Sequence, residues 1–151
     1  MNTGTVITDI ERTRARHNVA LLGAETDQQL SLRVQEVAPG EGPPLHMHHD
    51  QAETFHVMSG TFRFRVGDQE MTAGPGLTVH VPKGTPHSFI YEGLQANGQL
   101  ISILTPGLHD GFIRNIPQAQ ACGASNDELA AMAERYGATI IGPGLTPASE
   151  T

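Results

Sequence analysis

The chain has a single cysteine, Cys122, in 151 residues, which excludes an internal disulfide framework. Positive charge is also scarce. Nine Lys and Arg stand against 16 Asp and Glu, giving a formal net charge of −7. With no basic cluster of more than a few residues, neither nucleic acid nor an anionic membrane surface is an expected partner. No apolar run approaches the ~20 residues that a membrane-spanning helix needs. The opening segment MNTGTVITDIERTRAR lacks the apolar core of a signal peptide, so the expected location is the cytoplasm. Aromatics make up only 5% of the chain.

Glycine and proline are plentiful, at 17 and 10 residues, which suits a β-protein with many turns. A hydrophobic content of 38% is enough for one core, so residues 1–151 are read as one domain, without repeats. The stretch that organises the rest is 40–60, GEGPPLHMHHDQAETFHVMSG. Gly40, Gly42, Pro43 and Pro44 make a turn rather than a helix. On the extended segment that follows, residues two apart share a face, so His46 and His48 aim to one side. In the next run Glu53 shares its face with Phe55 and Val57, which points the carboxylate inward. A buried carboxylate is costly unless it is paired or coordinates a cation. The stretch 76–91, GLTVHVPKGTPHSFIY, reads as a strand, a turn at Pro82, Gly84 and Pro86, and a second strand starting at His87. His87 can return over the other three donors. His46, His48, Glu53 and His87 are therefore the candidate metal ligands. The competing reading is a set of histidines hydrogen-bonded in a polar core, and packing alone rarely keeps such a donor set together.

These two stretches resemble the paired motifs of the cupin superfamily. The pattern G-x5-H-x-H-x4-E-x6-G is met by Gly40, His46, His48, Glu53 and Gly60, and G-x5-P-x-G-x2-H-x3-N by Gly76, Pro82, Gly84 and His87. Tyr91 stands where the family commonly has Asn, which bears on the pocket wall rather than on the metal. The resemblance implies an all-β fold, a double-stranded β-helix (jelly roll), with core about 28–105. It also implies one divalent transition metal (Fe, Ni, Mn, Co, Cu or Zn) and pairing of the first strands with a second subunit as a homodimer. The short form of the motif and the ending YGATIIGPGL resemble quercetin dioxygenase-like monocupins. That likeness implies dioxygenation, with O2, of a flavonol or other enolic or aromatic small molecule. The alternatives are a non-oxidative metal enzyme (isomerase, lyase or cyclase) and a cupin that binds metal or ligand without turnover.

Elsewhere, residues 5–36 read as N-terminal strands, with Leu30, Leu32 and Val34 alternating and Arg33 and Gln35 facing the other way. Phe62, Phe64 and Val66 face inward on a strand, and Arg63 and Arg65 outward. Ile101 and Ile103 share a face of the last core strand. Residues 106–123 read as an irregular loop, either a cap over the mouth or an outer connector. Ser125 and Glu128 make a capping box opening a helix over about 125–136, which Gly137 closes. Ile140 and Ile141 suit an edge strand, and 142–151 a frayed tail. Glu53 is also a candidate general base, and Tyr91 a candidate substrate contact. His49, His56 and His80 take the solvent-facing parity, while His17 and His109 have no evident partner. Cys122 has no neighbouring base and is not expected to be a nucleophile. The aromatic lining, with no internal cationic cluster, favours an apolar substrate.

Overall fold

A computed structural model of the chain describes residues 5–148. Its strands are β1 (Val19–Leu21), β2 (Ser31–Val37), β3 (Leu45–His48), β4 (Ala52–Ser59), β5 (Phe62–Val66), β6 (Gln69–Ala73), β7 (Thr78–Val81), β8 (His87–Tyr91), β9 (Gly98–Thr105) and β10 (Ala138–Gly142). The helices are α1 (Ile10–Ala15), α2 (Asp110–Ala121) and α3 (Asn126–Arg135). The strands form two five-stranded antiparallel sheets, in the orders β1-β2-β9-β4-β7 and β10-β3-β8-β5-β6. Two antiparallel sheets of this kind are what the all-β double-stranded β-helix expected from the motifs requires. Among the described residues no helix is long and apolar enough to cross a membrane.

The core follows from alternation. Phe55, Phe62, Phe64, Phe89 and Tyr91 pack into one cluster with Val57, Val79, Val81 and Leu100. Ring centroids of Phe55 and Phe64 lie 5.2 Å apart and those of Phe62 and Tyr91 5.0 Å, distances at which aromatic pairs add to plain burial. Register turns the first sheet into ranks across its inner face. Ser31, Leu104, Glu53 and Val81 form one rank, and Arg33, Ser102, Phe55 and Val79 the next.

That register fixes the polarity of β2, which alternation alone left open. Its inward set is Ser31, Arg33, Gln35 and Val37, while Leu32 and Val34 lie on the outer face beside Ile103 and Ile101. Alternation separates two faces but does not say which one is covered, and here the more apolar set is the outer one.

Two segments expected to lack helix contain one. Asp9 caps α1, its side chain accepting from the Arg12 N–H at 2.9 Å. The segment 106–123 contains α2, despite Pro117 within it. Asp110 fastens its start by accepting from the backbone N–H groups of Gly23 and Ala24 at 2.7 and 3.0 Å. The third helix, Asn126–Arg135, opens at Ser125 with one half of the expected capping box. Ser125 Oγ accepts from the Glu128 N–H at 3.1 Å, and Leu129 and Ala133 are buried. β10 is an edge strand on β3. Residues 149–151 of the expected tail lie outside the described residues. Arg63 donates to the carbonyl of Thr146, so the preceding segment returns to β5.

Candidate metal centre

Three local devices aim the histidines. β3 carries His46 and His48, both buried. The turn before β8 is closed by Gly84, whose φ of +74° suits glycine. Its N–H donates to the His48 carbonyl at 2.7 Å, which ties the turn to β3. His87 then pairs directly with His46 across β3 and β8. Glu53 enters from the opposite sheet on β4, in the same rank as Leu104 and Val81.

All four expected donors meet. One ligand atom from each of His46, His48, Glu53 and His87 lies within 4.8 Å of the others. Donors sharing one ion at ~2.0–2.2 Å stand at most about 4.4 Å apart, so the cluster needs only small adjustments to take one. The ring nitrogens are already sorted. His46 Nδ1 donates to the Pro44 carbonyl at 2.8 Å and His87 Nδ1 to the Thr85 carbonyl at 2.9 Å. A carbonyl only accepts, so in the neutral rings Nε2 keeps the lone pair, facing the cluster. His48 Nδ1 is buried without a partner, and its polar engagement lies on the Nε2 side, 3.4 Å from Glu53 Oε1.

The electrostatics match a cation site. Burial pushes the Glu53 carboxyl pKa up, but hydrogen bonds and charge from His48 and His87 hold it well below the usual carboxylate range. For His87, burial works against protonation. The hydrogen bond to Glu53 Oε1 at 3.1 Å overcomes it and raises the pKa. His46 is pushed down to about 3, first by burial and then by His87 and His48. The cluster thus holds a fixed anion, a neutral imidazole, and a proton on His87 that a cation can displace.

A cavity of about 620 Å³ opens onto His46 and Glu53. α2 forms part of its wall through Phe112, Ile113 and Ile116, and the Phe112 ring lies 4.9 Å from that of His48 and 6.0 Å from that of His46. Gln51 holds the approach to α2 by donating to the carbonyls of Pro106 and Leu108 at 2.9 and 2.8 Å. Of the two readings of 106–123, α2 therefore lies at the mouth.

Tyr91 is not brought to the cavity. Its ring sits in the core against Phe62, in a space left by Gly60, Gly93 and Gly98, where a Cβ on Gly60 would come within 2.5 Å of it. His49, His56 and His80 each meet a threonine hydroxyl at 2.7–2.9 Å, away from the cluster. His109, without an evident partner in the sequence, pairs with Asp50 at 2.8 Å. Cys122 is exposed. Sequence reasoning missed Arg33, Gln35 and Phe112 as cavity residues. The spacing of Phe112, Ile113 and Ile116 on one helical face was the available signal for α2.

Comparison with known proteins agrees with this geometry. The profile of a family described as "Cupin domain" matches residues 33–104. The chain is 28% identical over 100 residues to quercetin 2,3-dioxygenase of Bacillus subtilis, a match covering 66% of this chain and 29% of that enzyme. The match thus spans less than a third of that relative's length. Among solved structures, a protein of Bacillus halodurans superposes with a TM-score of 0.58 at 19% identity, over 71% of this chain and 85% of that one. A Thermus thermophilus protein does so with a TM-score of 0.53 at 24% identity, over 66% and 96%.

Proposed function

The chain belongs to the cupin superfamily, and from that premise we propose that it is a metal-dependent oxidoreductase. The reaction is dioxygenation of a flavonol-like or other enolic or aromatic small molecule. The observation that carries this reading is the meeting of His46, His48, Glu53 and His87 within 4.8 Å at the wall of a 620 Å³ cavity. The partial likeness to a quercetin dioxygenase supports the choice of reaction.

The four residues would hold one divalent transition metal, a borderline-hard site open to Fe, Mn, Co, Ni, Cu or Zn. When bound, the ion supplies Lewis acidity toward an enolic oxygen and, if redox-active, an electron path to O2. The chain's own residues do the rest. Pro44 and Thr85 fix the ring orientation of His46 and His87 through their carbonyls. Phe112 lies against His46 and His48 and limits water at the cluster. Glu53 is the candidate base for the enolic proton. His48 and His87 hold its proton affinity down, while its burial acts to raise it.

The test is oxygen uptake by protein loaded separately with each metal, using flavonols, 1,3-diketones and hydroxyaryl carboxylic acids as substrates. Oxygen-dependent substrate loss that disappears in His48→Ala supports the reading. No oxygen uptake with any metal and substrate sinks it. Turnover under strict anaerobiosis would instead assign a non-oxidative isomerase, lyase or cyclase, and tight binding without product a non-catalytic cupin.

A further inference from the structure

We propose that Arg33 is the anchor for an anionic oxygen of the substrate, so that the molecule received by this cavity is an aromatic or enolic acid rather than a neutral phenol. The inference rests on the reading above that the cavity takes a small substrate.

Arg33 lies on the inner face of β2, in the rank of Ser102 and Phe55 and one rank from Glu53. Neighbouring strands are about 4.8 Å apart and same-face residues of one strand about 6.7 Å. An arginine side chain spans much of that gap, which places the guanidinium over the same cavity as the metal cluster. Four other arginines find counter-charges, and Arg65 donates to the Gly67 carbonyl at 3.1 Å. Arg12 and Arg16 pair with Glu25, Arg14 with Glu36, and Arg63 with Glu92. Arg33 has no carboxylate among the described residues. Its Nε is closed to solvent and unpartnered, its terminal nitrogens bond to no described residue, and the residue lines the cavity.

That arrangement is expensive unless something completes it. Arg33 is half-buried, with its Nε closed to solvent, and it keeps its charge, since arginine does not deprotonate in proteins. Burial lowers its pKa, and the charge of Glu53 offsets this only in part. Glu53 is engaged by His48 and His87. Glu36, at the rim, is taken by Arg14 at 2.9 Å, and Glu41 is exposed. With a divalent ion on the histidines and Glu53, the interior would carry a net positive charge and no counter-ion from the chain. A planar fork of donors fits a carboxylate in two places at once. Gln35, on the same face, adds a neutral amide beside it.

The experiment compares two probes that differ by one carboxylate, 3-hydroxy-2-naphthoate and 2-naphthol. Their binding is measured by calorimetry to the metal-free and the zinc-loaded protein, neither of which turns them over by redox chemistry. The metal-free protein should prefer the acid by about 10- to 100-fold, the scale of a charge-assisted hydrogen-bonded pair. Arg33→Met should bring the two probes to within about threefold of each other without weakening 2-naphthol, and Arg33→Lys should retain part of the preference. Because Arg33→Met removes a half-buried charge that no carboxylate pairs with, its melting temperature should stay level or rise. Equal binding of the two probes to the wild-type protein overturns the proposal and needs no variant. A preference that survives Arg33→Met overturns it as well. Since these are binding measurements, absence of oxygen uptake together with a strong Arg33-dependent preference would reject the dioxygenase and keep the anchor.

Discussion

Replacing Glu53 with glutamine probes the charge logic of the site with almost no change in shape. In the metal-free protein, burial alone disfavours a charged His87, and Glu53 Oε1 at 3.1 Å reverses that and raises the His87 pKa above its ordinary 6.5. At pH 6.5 a group with a raised pKa is more than half protonated. With Glu53 gone, burial is left to dominate, and His87 becomes less than half protonated. Ligands must give up their protons to bind a metal. At pH 6.5, therefore, wild-type protein should release more than half a proton from His87 on taking up zinc, and Glu53→Gln less than half. The variant also loses its anionic donor. Outer-shell ligand partners are worth about 10- to 100-fold in metal affinity, so losing this direct donor should cost at least that. Calorimetric zinc titrations in two buffers of different ionisation enthalpy give both quantities at once. Unchanged affinity and proton release in Glu53→Gln would refute the reasoning, because the carboxylate would then neither hold the His87 proton nor bind the ion.

Other consequences follow from single positions. His46 is depressed to about 3, so the unfolded chain takes up a proton at 6.5 that the folded one refuses, and stability is lost as pH is lowered through that window. Between pH 5.5 and 4.5, His87 is protonated in both states, so His46 alone should cost about 1.4 kcal/mol over that unit. Denaturant unfolding of metal-free protein should show this slope, reduced in His46→Gln; equal slopes contradict it. Tyr91 is packed in the core, so Tyr91→Phe should leave KM and kcat unchanged, while Tyr91→Ala should cost about 3–5 kcal/mol in denaturant unfolding. A raised KM in Tyr91→Phe would put its hydroxyl back in the cavity. The outer apolar strip of Leu32, Val34, Ile101 and Ile103 suits the expected homodimer. Ile103→Asp should shift light scattering from dimer to monomer, and a wild-type monomer would reject that use of the face.

The site was legible in the sequence because its geometry is local. The parity of His46 and His48 sets two donors, the inward face that Glu53 shares with Phe55 and Val57 sets the third, and the turn at Gly84 the fourth, all without long-range information. The cavity wall was not legible for the same reason. Whether β2 turns Arg33 or Leu32 inward depends on which face a second layer covers, and only the pairing with β9 and β4 decides that. α2 was hidden by Gly111 and Pro117, both poor helix formers. It forms because Asp110 anchors its start on the Gly23 turn and Ile113 is buried beneath it. Tyr91 was misplaced because its motif position suggests the pocket, whereas three glycines around it make room in the core.

All of this depends on one ion being held by four side chains. Elemental analysis of protein purified without added metal, with His48→Ala prepared in parallel, tests that directly. About one transition-metal ion per wild-type chain and almost none in the variant is the expected result. Equal metal content in the two proteins, or none in the wild type even after incubation with zinc and desalting, would contradict it.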